Sequence, residues 1–434
     1  MAFSISRSQL SKELQEKIVK DLSIFPEDDF FAKQNFRAVS EPVPFFVVNS
    51  TTVQLPIAYA SKLFGVPGND HLQLPTMPLQ FTGTLREKQI PVAEEAYGYL
   101  KKYGAVILAL HPGFGKTIEG AYLAAQFSLL TVILVHRELL LKQWDHTFSH
   151  NTDARTWIVG EPLPTEMPNV IICMDTRWEK IPPEWRSYVG TLIIDEAHAF
   201  CTRSHVDCLL AFQPKYVIAE SASLERDDEM HKMILAITGN IIIYRDFSGP
   251  FTVYKTLTGV QSERTFDVRG QLKWSAFQES TLMNEKRNAI ILNLIRGYAH
   301  KKILVLTALK EHTKLLHGWV TQLGIGCDFY CGTKKAYQDA AVLVGTMSKI
   351  GTGFDPATSC DTYDGRPFEI LILASSIKKY AMLTQNVGRV FRCENPTIFH
   401  LVDDDPIYQR HWTKCLKWYT PRGGSIIEWK PNFE

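Results

Sequence analysis

The residues with the plainest chemistry lie at 108–117, LALHPGFGKT. An apolar run enters a loop containing Gly113 and Gly115, after which Lys116 and Thr117 open a helix-like stretch. Small residues let successive backbone N–H groups turn inward on a phosphate, and a helix N-terminus adds partial positive charge. Lys116 is then positioned to reach the β- and γ-phosphates of a nucleotide, and the Thr117 hydroxyl to hold Mg²⁺. The first glycine of the usual phosphate-loop pattern falls at Leu110, so this loop is a variant of it. A second cluster, TLIIDEAHAF at 191–200, sets Asp195 and Glu196 at the end of another apolar run. Asp195 can bind Mg²⁺ through water, and Glu196 can take the proton from a water attacking a departing γ-phosphate. His198 has two readings: a packed residue capping a helix, or a residue that senses the nucleotide and couples the domains.

Such groups need strands that end where they begin. AVILAL (105–110), TVILV (131–135), NVIIC (169–173), TLIID (191–195), YVIAE (216–220) and IIIY (241–244) read as buried strands, with helix-like stretches such as TIEGAYLAAQFS (117–128) between them. Unbroken β-branched runs alternating with amphipathic segments predict a parallel sheet covered on both faces. Ligands of such sheets sit at the carboxyl ends of the strands. The pattern restarts with KILVLT (302–307), AVLVGT (341–346), FEILILAS (368–375) and TIFHLV (397–402), and MNEKRNAIILNLIRGYA (283–299) reads as a helix. The fold class expected is α/β: two such domains in tandem, at 81–247 and 248–434, with the break near Ser248-Gly249-Pro250. Residues 1–80 are expected to form a small accessory domain.

A chain of 434 residues suits two domains and an appendage, and 45% hydrophobic with 21% charged residues excludes a largely disordered or collagen-like chain. No apolar stretch is long enough to span a bilayer, and the N-terminal segment lacks an apolar signal core. The eight cysteines are sparse, which suggests a reducing compartment. Cys327/Cys331 and Cys201/Cys208 lack a second well-spaced pair and read as core thiols rather than zinc ligands. A net charge of +1 hides an asymmetry: residues 81–245 hold 16 Lys/Arg against 20 Asp/Glu, and residues 246–434 hold 24 against 18. Either one lobe binds a polyanion, or surface charge is spread by chance.

GFGKT followed by DEAH resembles the first RecA-like domain of a superfamily 2 helicase, and further patches of that family occur in its order. The resemblance implies that Gln89 of LREKQ (85–89) reads the adenine edge, and that Phe81 before it stacks on the adenine. It also implies that the loop of VHRELLLKQW (135–144) meets a nucleic-acid backbone. ESASLERDD (220–228) resembles the Ser-Ala-Thr coupling motif, with Ser223 and Leu224 in place of Thr and Pro. VGTMSKIGTGFD (344–355) supplies Thr346, Gly353 and Asp355, and QNVGRVFR (385–392) supplies Gln385, Gly388, Arg389 and Arg392. In the family, the last two are arginine fingers, whose planar fork spreads positive charge over the departing phosphoryl oxygens. The LRxxQ and SAS-x-x-RDD stretches resemble the XPB-like and phage UvsW-like branch. KIGTGFD and IKKYAMLTQNVGRVFR resemble transcript-release-type helicases of large DNA viruses (poxvirus, asfarvirus, iridovirus).

The implied activity is an ATP- and Mg²⁺-dependent helicase or translocase, 3′-to-5′ on DNA, serving viral transcription, replication or recombination. The implied partner is single-stranded, forked or branched DNA, with RNA left open. No membrane is involved, and the protein is expected to be monomeric. The implied setting is intracellular, in host cytoplasm or nucleus, with virion packaging open. The competing reading is a nucleic-acid-binding scaffold whose ATPase is vestigial or clamp-like, supported by the altered Ser-Ala-Ser-Leu stretch. An unrelated P-loop NTPase leaves the Q-x-x-G-R-x-x-R patch without an account.

Overall fold

A computed structural model describes residues 2–25, 41–65, 72–221, 229–247, 249–351 and 354–430. The chain divides into two compact units, Met1–Leu110 with Phe114–Arg245, and Asp246–Glu434 with His111–Gly113.

The first unit is built on a seven-stranded parallel sheet in the order Ile242–Arg245, Ala105–Leu110, Tyr216–Ser221, Thr191–Ile194, Thr131–Val135, Val170–Met174 and Thr156–Ile158. Alternate residues of each strand serve opposite faces. Val106, Leu108, Ile133, Ile193 and Ile218 pack under helices Ile90–Tyr103, Lys116–Phe127 and Glu138–Asn151. Ile107, Val132, Leu134, Leu192 and Ile194 face the other core, with helix Lys232–Thr238. Each fully buried aliphatic side chain contributes about 1.5–3 kcal/mol, which explains why the runs are continuous rather than alternating. Helix Ile90–Tyr103 has Pro91 in its first turn and stops at Gly104, whose φ of 73° suits a residue without a Cβ.

The N-terminal residues form a three-stranded antiparallel sheet, Ala2–Ser6, Thr52–Pro56 and Val47–Val48. Leu10, Ile18, Leu22, Val53 and Leu55 form a small core of their own. Ala2, Ile24, Val43, Phe45 and Ile57 instead join the core of the first large sheet.

The second unit repeats the plan with Cys327–Tyr330, Val342–Thr346, Ile303–Thr307, Ile370–Leu373, Thr397–Val402, Phe251–Leu257 and Gly424–Trp429, again all parallel. When the strands of each sheet are numbered along the chain, both sheets read 7-1-6-5-2-4-3 from one edge. These are the tandem RecA-like sheets that the sequence pattern anticipates. The helices expected at 117–128 and 283–299 span Lys116–Phe127 and Glu285–Gly297. Four strands have no unbroken apolar run: Thr156–Ile158, Phe251–Leu257, Cys327–Tyr330 and Gly424–Trp429. Three of them are sheet edges, and Phe251–Leu257 alternates buried with half-exposed residues. A strand covered on one side only needs no continuous apolar sequence.

Candidate nucleotide site and its arginine segment

Strand Ala105–Leu110 delivers the loop that ends in Lys116, the first residue of its helix. Gly113 and Gly115 have φ of 82° and 106°, a region closed to most L-residues. At Gly115 a Cβ would also lie 2.6 Å from Gln89 Nε2. Gln89 is buried; its Oε1 accepts from Arg86 N at 2.9 Å and its Nε2 donates to Gly115 O at 3.2 Å. The residue expected to read adenine thus also ties its own segment to the phosphate loop. Lys116 Nζ donates to Leu110 O at 3.5 Å, and Gln143 Nε2 donates to Thr117 Oγ1 at 3.5 Å. Phe81 is half-buried, edge-on to Tyr122 with ring centroids 5.3 Å apart.

Asp195 follows strand Thr191–Ile194 and is buried, its Oδ2 accepting from Trp144 Nε1 at 2.9 Å. Burial first, and the adjacent Glu196 second, push its pKa up to about 6, against the pull of the Trp144 N–H and of Lys116. Glu196 has φ of 51°, a left-handed conformation that costs a non-glycine residue about 1–2 kcal/mol. His198 Nδ1 lies 3.4 Å from Glu196 Oε2 and 3.0 Å from Ser221 Oγ. Of its two readings, this geometry favours coupling, because the imidazole joins the acid pair to the end of strand Tyr216–Ser221. Ser223 and Leu224 lie outside the described residues.

Glu119, Glu220 and Gln143 were not singled out from the sequence. Glu119 and Glu220 are wholly buried, and their carboxylate oxygens have no hydrogen-bond partner among the described residues. Burial raises Glu119 to about 8. Glu220 is held well above the usual carboxylate range by burial and then by Asp195, with Lys116 opposing. Gly120 leaves room for this layer: a Cβ there would stand 2.7 Å from Glu220 Oε1 and 2.8 Å from the Trp144 ring. The available signal was a Glu closing the apolar run YVIAE, where the pattern calls for another hydrophobe.

Asp195 and Thr117 make a donor set suited to Mg²⁺, which takes one or two protein oxygens and completes its shell with water and phosphate. No three His, Cys, Asp or Glu converge as a metal cage among the described residues. All eight cysteines are free thiols.

In the second unit, Asp355 caps helix Pro356–Ser359 through Ala357 N at 2.9 Å and holds Arg392 at 2.9 and 3.3 Å. Burial works to raise its pKa, but the Arg392 contacts outweigh it and the net shift is downward. Arg389 donates to Phe354 O at 2.8 Å and Gly351 O at 2.5 Å. The two arginines therefore hold Gly351, Phe354 and Asp355; Gly353 lies outside the described residues. Gln385 is half-buried on helix Tyr380–Val387, close to Gly351. Thr346 is buried at the end of strand Val342–Thr346. The structure thus gathers Gln89, Gly115, Lys116, Thr117, Asp195 and Glu196 in the first unit, and Asp355, Gln385, Arg389 and Arg392 in the second.

Residues 82–226 match the family model described as the Type III restriction enzyme, res subunit. Protein 161L of Invertebrate iridescent virus 6, named as a helicase, is 28% identical over 389 residues, covering 82% of this chain and 86% of its own length. Protein 055L of Frog virus 3, also named as a helicase, is 28% identical over 356 residues and covers 80% of each chain. The transcript termination protein OPG145 of Variola virus is 25% identical over 330 residues, covering 68% of this chain and 64% of its own. Among solved structures, S. cerevisiae Dbp5 bound to RNA and ADP BeF3 aligns with a TM-score of 0.55 at 11% identity, covering 78% of this chain and 89% of that one. That likeness shows the fold.

Proposed function

We propose that this chain is a superfamily 2 helicase whose chemistry is ATP hydrolysis, a motor that moves 3′-to-5′ along one strand of DNA. The observation that carries this reading is the linked set Lys116, Asp195, Glu196, His198 and Ser221 on adjoining strand ends of one sheet. Lys116 and the loop amides would neutralise the triphosphate, with Gln89 on the adenine and Thr117 and Asp195 holding Mg²⁺. The Mg²⁺, when bound, offsets charge on the β- and γ-phosphates. Glu196, bent off its strand, accepts a proton from the attacking water. Through His198, a change at Glu196 is felt at Ser221, where the coupling motif begins.

Arg389 and Arg392 supply the remaining positive charge. For Arg392 this means exchanging the Asp355 carboxylate for phosphoryl oxygens, so Asp355 acts as a holding partner. Phosphate contacts would dominate strand binding, making it salt-dependent and largely blind to sequence. Relatives encoded by iridoviruses and Variola virus support work in an infected cell, and the Variola relative's name supports a role in transcript termination. We take the protein as monomeric, with residues 1–80 as an accessory domain.

The test is ATP turnover of the full chain with and without DNA and RNA oligonucleotides, followed by unwinding of duplexes with a 3′ or a 5′ tail. The reading expects stimulation, and unwinding from the 3′ tail. Turnover indifferent to every oligonucleotide would contradict it.

A further inference from the structure

In the first sheet, the residues read as the nucleotide site follow strands 1, 5 and 6 in chain order: Lys116 after Ala105–Leu110, Asp195 after Thr191–Ile194, and Ser221 at the end of Tyr216–Ser221. The same three positions of the second sheet are Phe251–Leu257, Ile370–Leu373 and Thr397–Val402. None of them leads into a phosphate loop. What they present instead is an aromatic and cationic surface.

After Phe251–Leu257 the chain makes a tight hairpin. Phe266 bridges Leu272, Lys273 N donates to Thr265 O at 2.8 Å, and Asp267 N donates to Gln271 O at 2.8 Å. The Asp267 carboxylate is occupied by the amides of Arg269 and Gln271, and Gly270 turns the tip with φ of 72°. This well-bonded hairpin carries Val268, which is fully exposed, and it leads into Trp274, 43% exposed. Trp274 meets His411, from the helix that follows Thr397–Val402, at 6.3 Å between ring centroids. His411 Nδ1 lies 2.8 Å from Ser376 Oγ, on the loop after Ile370–Leu373. Three rim loops therefore converge.

The charge acting on His411 is of one sign. Every charged group acting on His411 is a cation: Lys378, Lys414 and Arg410, which add to burial in lowering its pKa. Among the described residues, Lys273, Lys378, Lys379, Arg410 and Lys414 are exposed with no carboxylate in ion-pair reach. Two of the acids beside them are engaged: Asp405 holds Arg264 at 2.7 Å and caps its helix, and Asp403 holds Arg287 at 2.8 Å. Unpaired exposed cations around a half-exposed aromatic ring suit a polyanion that also carries flat bases.

We propose that this rim of the second unit is a separate subsite for single-stranded polynucleotide, in which Lys378, Arg410 and Lys414 hold phosphates and Trp274 stacks on a base. The hairpin tip bounds the strand on one side. The subsite rests on the reading of the chain as a nucleic-acid motor, and it adds contacts beyond the phosphate-loop, acid-pair and arginine-finger residues.

The probe is a fluorescein-labelled oligonucleotide of thymidines, or of uridines, bound by the full chain over a series of salt concentrations. Replacing Lys378, Arg410 and Lys414 together by Gln should reduce the log–log salt slope by about 2, from roughly 0.7 per phosphate contact on single strands. Trp274→Ala should weaken binding about tenfold, and Trp274→Phe should restore most of it. ATP turnover without oligonucleotide should stay at the unaltered level in all three, with thermal melting checking that Trp274→Ala still folds. The triple Gln variant alters only exposed side chains and keeps the test open if Trp274→Ala does not fold. An unchanged salt slope in the triple variant, with the unaltered chain binding normally, would overturn the subsite alone. An unaltered chain that binds no oligonucleotide would overturn the motor reading and the subsite together.

Discussion

The two sheets share one strand order yet treat charge in opposite ways. The first unit buries acids around its phosphate loop: Asp195, Glu196, Glu119 and Glu220 are all buried, with Lys116 acting on Asp195 and Glu220. Among the described residues, the Glu119 and Glu220 carboxylates find no hydrogen-bond partner. The second unit pairs the charges it buries. Arg287 and Asp403 meet at 2.8 and 3.2 Å with essentially no exposure, and Thr258 Oγ1 donates to the same carboxylate at 2.6 Å. Its surplus of cations is left on the surface. One topology can therefore support two functions, because chemistry resides in the loops at the strand ends and the β-branched runs only position them. The charge asymmetry of the sequence is the trace of this division, which favours the polyanion-binding reading over chance spread.

If the first unit holds the triphosphate, the largest effects belong there. Lys116→Ala and Glu196→Gln should each lower ATP turnover by about 10⁴-fold, with circular dichroism and melting unchanged. Near-normal turnover in either would remove the first unit's side of the contrast. The second unit's share is tested by Arg392→Ala, which should cut hydrolysis by about 10³-fold while a fluorescent ATP analogue still binds. Equal loss of binding and hydrolysis would make Arg392 a structural partner of Asp355 and no more.

The unpaired acids sharpen the comparison through pH. Glu119 is raised from 4.5 to about 8 by burial, so the folded chain holds that proton more tightly than the unfolded chain does. The stability this contributes is present below about 4.5 and is lost as pH rises through about 8. Glu119→Gln should therefore gain on the order of 2 kcal/mol over the unaltered chain as urea midpoints are followed from pH ~5 to pH ~9. A constant difference across that range would mean that Glu119 is not the titrating group. Asp195, raised to about 6, must be ionised to hold Mg²⁺. Turnover at limiting Mg²⁺ should fall about tenfold per pH unit below that value, and excess Mg²⁺ should shift the fall to lower pH. A profile that ignores Mg²⁺ would point to another group.

Much of this was legible in the residues. Gly113 and Gly115 take a positive φ that few other residues adopt, with Lys116 and Thr117 opening the helix that follows, and Asp195 and Glu196 come after a strand whose apolar run is unmistakable. The second roles of Gln89, Arg389 and Arg392 were not legible. Each makes its contact with a carbonyl or carboxylate that only the folded chain brings near: Gly115 O, Phe354 O and Asp355. Glu220 was hidden for a different reason, since a buried Glu at the end of YVIAE looks like the first polar residue after a strand. The strand Phe251–Leu257 went unread because its exposure alternates, and with it went the shared strand order of the two units, which no residue pattern announces.

The most direct test of the account is steady-state ATP hydrolysis by the full chain while single-stranded DNA or RNA is titrated in. The account predicts a rise of at least about tenfold, saturating with oligonucleotide, a small part of what an arginine supplied to phosphoryl transfer can add. A rate that stays flat while the same oligonucleotide demonstrably binds would contradict it.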